Sequence, residues 1–353
     1  MKKKLIGFLA SIIIIGALVL PASGTIINKY NPNLLFSNGI IYVGGTGEGN
    51  YTNIQDAIDD ANDGDTVFVY EDSSPYIENL IVEKSIRLIG EDMYTTIIDG
   101  DRTEDSDVVH IESDGVHIQG FTIQGSYLRG TWPDYCCGIE TRSNNTTIKD
   151  NLIRDNDNGI AIGIILENES NNNIIQGNII TENNQVGIHV TWSINNVIEE
   201  NLIYSNKYHG IMFLSNCDNN IIIRNNISLH EQVGIALSGC DNNIIQYNNL
   251  VKNRDGISIS ASTKNKIINN NIFDNKNDAI MSGETLQLIK YKWRDNTWDG
   301  NYWGRTMSHP KIIMTPCIFT FVNFIWLRFF DIPIFIPLFV FDWNPAQEPY
   351  EIK

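Results

Sequence analysis

Basic residues are scarce. Against 42 acidic residues stand 25 lysines and arginines, a formal charge of −17. Lys2, Lys3 and Lys4 sit at the very start, and the remaining cations form no stripe or cluster. That excludes nucleic acid as a partner, because neutralising phosphates dominates such affinity. The acidity suits solubility and the attraction of cations. Cysteine is sparse as well. Cys136, Cys137, Cys217, Cys240 and Cys317 make an odd count with no C-x-x-C pair, which argues against a disulfide framework or a zinc site. Long apolar runs are missing too. Leu5 to Leu20 and Ile312 to Leu327 each hold about sixteen uncharged residues, short of the roughly 20 that a spanning helix needs.

The first of those runs has a specific reading. A basic start, a short apolar core and Pro21-Ala22-Ser23-Gly24 at a cut site make residues 1–24 a secretory signal, with 25–39 a linker. The mature chain is therefore expected to be secreted, extracellular or held at the cell surface. Sequons at Asn50, Asn144, Asn145, Asn168 and Asn226 permit glycosylation there, although chance supplies several in so Asn-rich a chain.

What is abundant is Asn beside Ile. Gly138-Ile139, Gly159-Ile160, Gly187-Ile188, Gly210-Ile211, Gly234-Ile235 and Gly256-Ile257 recur about every 23 residues, and Ala279-Ile280 continues the series. Within each unit N-x-I-x-x-N-x-I-x-x-N repeats in register. One Asn column runs Asn173, Asn196, Asn220, Asn243, Asn265, with Thr146 before it. A second runs Asn151, Asn178, Asn201, Asn225, Asn248, Asn270. A third runs Asn156, Asn183, Asn206, Asn253, Asn275 and is broken by His230. Two Ile columns lie between, from Ile148 to Ile267 and from Ile153 to Ile272.

Short strands point alternate side chains to opposite faces, so such Ile columns fill one interior. Asn tolerates the left-handed conformation at a corner, and stacked amides bond along the ladder. The expected fold is all-β, a single-stranded right-handed parallel β-helix over residues 40–295. Thr52-Asn53-Ile54-Gln55 reads as a capping box, and Ile54, Ala57, Ile58 and Ala61 share one helical face. Residues 52–62 are thus expected to plug the N-terminal end, since an open end exposes strand edges. Residues 296–353 form the closing motif and an apolar cap. Pro316, Arg328, Asp331, Pro333 and Pro337 interrupt 312–340, so membrane association through that block is the less favoured alternative.

With these residues placed, a resemblance emerges. YTNIQDAIDDANDGDTVFVY, ENLIVEKSIRLIGED and TTIIDG resemble the opening of pectin-lyase-like β-helix proteins. The Gly-Ile and Asn-x-Ile coils are similar to the NosD-type subgroup, named after a periplasmic protein linked to copper-site assembly. NTWDGNYWG (Asn296–Gly304) looks like its closing motif and is expected to turn the chain back. FDWNPAQEPYEI is similar to the tails of exported archaeal β-helix proteins. The resemblance implies a fold shared by lyases, hydrolases, esterases, epimerases and non-catalytic surface proteins. The N-T-D, D-D, G-H-G and R-I-K set of polygalacturonases is absent. Tyr208-His209-Gly210 is a fragment of it, and Asp59-Asp60 falls on the cap helix.

The residues after each Gly-Ile face outward. One such column runs Glu140, Ala161, His189, Met212, Ala236, Ser258 and the next Arg142, Gly163, Thr191, Leu214, Ser238, Ser260. Glu140, Arg142 and His189 are the candidate ligand-binding residues, with Trp192 at the groove edge and Trp132 and Tyr135 as a sugar-stacking platform. Glycoside hydrolysis wants two carboxylates, and only one stands in these columns, so no catalytic residue is assigned. Binding of a polysaccharide or glycan, or of other cell-surface proteins, is the expected function. A lyase, hydrolase or epimerase is the alternative, and a NosD-like accessory role in metal-site maturation the second alternative. Cys217 and Cys240 repeat in consecutive coils as small apolar residues, a disulfide being the next option and a copper site with Met212 and His209 the last. Asp218 and Asp241 repeat likewise. That column lacks a third carboxylate, so no cofactor is expected, Ca²⁺ being the one alternative.

Overall fold

The computed structural model describes residues 39–102, 106–126, 136–163, 170–282, 295–305, 307, 309–319 and 334–352. The segments expected to be a signal (1–24) and, up to residue 38, a linker therefore lie outside it, as do Trp132, Tyr135 and Asn168. Among the described residues the chain is a parallel β-solenoid. Each coil contributes three short strands, one to each of three sheets. The first sheet has eleven strands, from Ile40–Val43 to Thr297–Asp299; the second has nine, from Tyr76–Ile77 to Asn271–Phe273. The third also has nine, from Leu80–Val82 to Asn277–Ser282.

The columns stack as the spacing predicts. Ile148 pairs with Ile175, then Ile198, Ile222, Ile245 and Ile267. All are buried, and each is worth about 1.5–3 kcal/mol. The asparagines form continuous ladders. The Asn178 backbone N–H donates to Asn201 Oδ1 at 2.9 Å, and its Nδ2 donates to Ile148 O at 2.9 Å and Asn201 Oδ1 at 3.0 Å.

The amide ladder is as expected, but the corner conformation is not taken by the stacked Asn itself. The left-handed residue at each bend is the one before the stacked Asn: Asn195, Glu200 and Ser205 in one coil, Asn219, Arg224 and Leu229 in the next. The stacked Asn supplies instead the two-way amide that satisfies backbone N–H and C=O groups at the turn. His230, which breaks the third column, keeps half of that role. Its two ring nitrogens lie 3.2 Å from Asn206 O and 3.3 Å from Ile203 O, and burial lowers its pKa to about 4.

The glycines of the Gly-Ile pairs have a packing reason. A Cβ on Gly159 would meet Gly187 O at 2.5 Å, and one on Gly234 would meet Gly256 O at 2.7 Å. Backbones approach too closely there for any side chain. The series stops one unit earlier than expected, because Ala279 pairs with Ile257 and Ile280 with Ser258. Asp278 thus takes the glycine place, its carbonyl filling the space a side chain on Gly256 would need.

Both ends are closed by carboxylates. The N-terminal helix spans Ile54–Asp60, shorter than 52–62, and buries Ile54, Ala57 and Ile58. Its capping box does not form: Asn53 makes no side-chain cap bond. Glu78 replaces it from the following coil, accepting from Ile54 N–H at 2.8 Å and Gln55 N–H at 2.9 Å, which suits the positive end of a helix. Gln55 in turn pairs with the edge strand through Ile81 N–H and C=O. At the far end NTWDGNYWG continues the coil. Trp298 pairs with Ile267, and Asn296 and Asn301 extend two ladders. Asp342 ends the second, its Oδ2 accepting from Asn301 N–H, Asn301 Nδ2 and Trp303 Nε1 at 3.0–3.1 Å. Asp342 lies on an antiparallel hairpin of Lys311–Phe319 and Ile334–Asp342, and Ile313 and Val340 join the core beside Trp298 and Trp303. No helix among the described residues is long and apolar enough to cross a membrane.

Candidate functional site

The third sheet carries the two outward columns read from the sequence. Register confirms the first: Glu140 pairs with Ala161, Ala161 with His189, His189 with Met212, Met212 with Ala236, and Ala236 with Ser258. Glu140 and His189 are therefore two coils apart, about 9.6 Å by strand spacing, and do not meet. His189 is buried, lies 3.2 Å from Thr191 Oγ1, and has its pKa lowered by burial to about 4. Trp192 turns the corner at φ 52.

What Glu140 does meet was not found in the sequence. Upstream it pairs with His110 of the strand Val109–Ile111. His110 Nδ1 lies 3.1 Å from Glu140 Oε2 and 3.0 Å from Asp107 Oδ2, while its Nε2 lies 3.4 Å from Glu112 Oε1. Arg142 donates from Nε and Nη2 to the two Glu140 oxygens at 3.1 Å each. Cys137 N–H donates to Asp107 Oδ1 at 2.6 Å, and Asn79 Nδ2 holds Asp107 O at 2.6 Å. A second carboxylate is thus present, and the one-carboxylate expectation is corrected. The signal was available, since Ile118 and Ile148 are in register and the same offset sets His110 on Glu140.

Electrostatics divides these groups. Burial and the nearness of Glu140 push Asp107 up to about 6. Burial alone would raise Glu140, but hydrogen bonds from His110, Asp107 and Arg142 outweigh it and hold Glu140 near 2. Burial alone would lower His110, yet its bonds to Asp107 and Glu140 raise it to about 9.

The remaining candidates are apart from this cluster. Asp218 and Asp241 do stack, but each serves the turn: Asp218 Oδ1 accepts from Asp241 N–H and Asp241 Oδ1 from Thr263 N–H, both at 2.6 Å. Cys217 and Cys240 are free and buried, and their sulfurs point to Val190 O and Ser238 O at 3.2 Å.

Residues 49–308 match the family model described as periplasmic copper-binding protein (NosD). The chain belongs to the NosD family. No curated protein matches it. Among solved structures, the NosD chain is similar to the Azotobacter vinelandii mannuronan C-5 epimerase AlgE6 A-module, at 16% identity and TM-score 0.54 over 72% of this chain and 82% of that one. It is also similar to bacteriophage CBA120 tailspike protein 2, at 13% identity and TM-score 0.57 over 75% and 43%. The alginate lyase from Paenibacillus sp. str. FPU-7 gives 16% identity and TM-score 0.50 over 69% and 93%. At such identities these likenesses establish the parallel β-helix fold.

The family's copper has to be fitted to these donors. Cuprous ion prefers converging sulfur and imidazole. The Cys217 and Cys240 thiols meet each other as well as carbonyls, but His209 Nδ1 accepts from Val233 N–H at 3.2 Å, and among the described residues no His, Asp or Glu ligand atom converges with the two sulfurs. That set does not fit. Among the described residues, Asp107, His110 and Glu140 are the one group of three such donors whose ligand atoms lie within 4.8 Å of one another. One nitrogen and two oxygens make it a set for divalent ions.

Proposed function

We propose that this NosD-family chain is an exported β-helix protein that binds a polysaccharide or glycan along the outward face of the third sheet without cleaving it. The observation that carries the reading is the state of the two carboxylates at the head of that face. Glycosidases hold a pair about 5–5.5 or 6.5–9.5 Å apart with the scissile bond between them. Here Asp107 and Glu140 each turn an oxygen to the same atom, His110 Nδ1, at 3.0 and 3.1 Å, and these three atoms lie within 4.8 Å of one another, closer than either spacing. Both Glu140 oxygens are also engaged by Arg142. Recognition remains available. Arg142 is partly exposed and keeps further donors for sugar hydroxyls. Met212, Ala236 and Ser258, each partly exposed, form a floor at strand spacing, with the partly exposed Trp192 at the rim.

The likeness to proteins named for mannuronan and alginate supports a saccharide as the ligand class. The charge of −17 favours neutral or amino glycans over polyuronates. Residues 296–353 close the solenoid in this reading and do not anchor it in a membrane. Affinity electrophoresis through gels of neutral and charged polysaccharides tests it. At least one neutral polymer should retard the protein, and Arg142→Ala should weaken that about tenfold. A second reading, a carbohydrate-active enzyme, is favoured by the split of the carboxylates to about 6 and about 2. Release of unsaturated uronides or reducing ends, lost on Glu140→Gln, would establish it and overturn the first.

A further inference from the structure

The geometry of the cluster leads past saccharide binding, and does not depend on it. Asp107, His110 and Glu140 bring two carboxylate oxygens and one imidazole nitrogen within 4.8 Å of one another, Glu140 buried and the other two partly so.

We propose that Asp107 Oδ2, His110 Nδ1 and Glu140 Oε2 bind a single divalent cation of first-row transition-metal size. The ligand atoms already stand at suitable separations. Adjacent ligands of an octahedral ion at about 2.1 Å are about 3.0 Å apart. His110 Nδ1 is 3.0 Å from Asp107 Oδ2 and 3.1 Å from Glu140 Oε2. The imidazole nitrogen selects a transition-metal ion over Ca²⁺, which takes oxygen ligands.

Groups outside the ligand set orient each ligand. Glu112 Oε1 faces His110 Nε2 at 3.4 Å, which keeps a proton on Nε2 and leaves the Nδ1 lone pair for the ion. Such outer carboxylates fix the tautomer and raise ligand basicity. Cys137 N–H holds the second oxygen of Asp107 at 2.6 Å, and Arg142 Nε that of Glu140 at 3.1 Å. Strand pairing does the rest, since His110 and Glu140 are direct register partners. One contact works against the ion. Arg142 Nη2 is also 3.1 Å from Glu140 Oε2, so the guanidinium repels an added cation. Removing it should strengthen metal binding while weakening glycan binding, and the two readings thereby separate.

The full chain, stripped with EDTA and dialysed, should be titrated with Mn²⁺ alone while free ion is followed by electron paramagnetic resonance. Zn²⁺, Cu²⁺ and Ca²⁺ then compete. One Mn²⁺ per chain is expected, with Zn²⁺ and Cu²⁺ displacing it at least tenfold more effectively than Ca²⁺. Asp107→Asn and His110→Gln should each weaken binding at least tenfold, and Arg142→Gln should tighten it. Glu112→Gln, a half-exposed position outside the ligand set, should weaken it about tenfold and covers the case in which a buried variant fails to fold. No Mn²⁺ bound at millimolar concentration, equal binding by the variants, or preference for Ca²⁺ would each overturn the proposal.

Discussion

The coils before residue 126 and those after residue 136 make the same bends by different means. In the later coils the left-handed residue is a non-glycine at nearly every bend, Gly177 and Gly300 being exceptions, and the next residue, almost always an Asn, carries the ladder. In the earlier ones Gly120 and Gly125 turn at φ 85 and 90. Phe121 stands where the ladder Asn would be, fully buried, and its N–H is the first to reach a ladder, at Asn151 Oδ1. Individual bonds do the remaining work there: Tyr76 Oη to Tyr70 O and Thr122 Oγ1 to Met93 O, each 2.7 Å. A ladder is a device that repeats without regard to what surrounds it, and it leaves little room for chemistry. One-off solutions permit irregular insertions and ionisable groups. The candidate site straddles the boundary, with Asp107 and His110 from the last irregular coil and Glu140 and Arg142 from the first regular one.

The sharpest break of the regular half is Ile198→Asp. An unpaired carboxylate among stacked isoleucines should cost more than about 4 kcal/mol and unfold the middle coils, visible as loss of the cooperative melt by circular dichroism. Unchanged melting would refute the stacked core. Next in size is Asn201→Leu. It removes the acceptor of the Asn178 N–H and the side-chain donor to the Ile175 carbonyl, two buried groups, and takes one further bond each from Asn178 Nδ2 and Asn225 Oδ1, which keep other partners. At about 1–3 kcal/mol for a buried group left unpaired, the total should exceed 2 kcal/mol. Thr122→Val in the irregular half strands only Met93 O and should cost about 1 kcal/mol. Denaturant titration of the two variants measures the ratio, and equal losses would remove the distinction between ladder and single bond.

These two halves also differ in how far they could be read. The solenoid was legible wherever Gly-Ile and Asn columns repeat, because each position there has one job set by the stack. The order of the outward column was legible for the same reason. The site was half legible. Glu140 and Arg142 belong to a repeating coil, whereas His110 follows Val108-Val109 with no Gly-Ile to announce it. Asp107 sits before its strand, where its reach depends on the Cys137 backbone. The roles of Glu78 and Asp342 were hidden similarly, because a carboxylate closing an end acts once and leaves no period.

A smaller effect tests the junction through pH. The folded pKa of His110 is raised from 6.5 to about 9, so its contribution to stability is complete below pH 6.5 and is lost as pH rises toward 9. The Asp107 shift, raised to about 6, acts between about pH 4 and 6 and does not overlap. Glu140, held near 2, loses its contribution only as pH falls from 4.5 toward 2. Wild-type melting temperature should therefore decline between pH 6.5 and 9 in the presence of EDTA, and His110→Gln should flatten that decline. A parallel slope in both proteins would mean that the imidazole is not held by Asp107 and Glu140.

The smallest effect has the opposite sign. Leu229 is left-handed at φ 63 and half exposed, just before the one His that interrupts a ladder. A side chain with a Cβ costs about 1–2 kcal/mol in that conformation, and Asn is among the few residues that adopt it readily. The irregular half already relieves the same bend with Gly125. Leu229→Asn should stabilise the protein by about 0.5–1 kcal/mol, read as a higher denaturant midpoint at unchanged slope. The backbone ladder continues past this corner through His230 N–H to Asn253 Oδ1 at 3.1 Å, so the gain belongs to the bend alone. A loss in its place would mean that the Leu229 side chain contributes more by packing over Val251 and Phe273, which line the same groove, than its backbone costs.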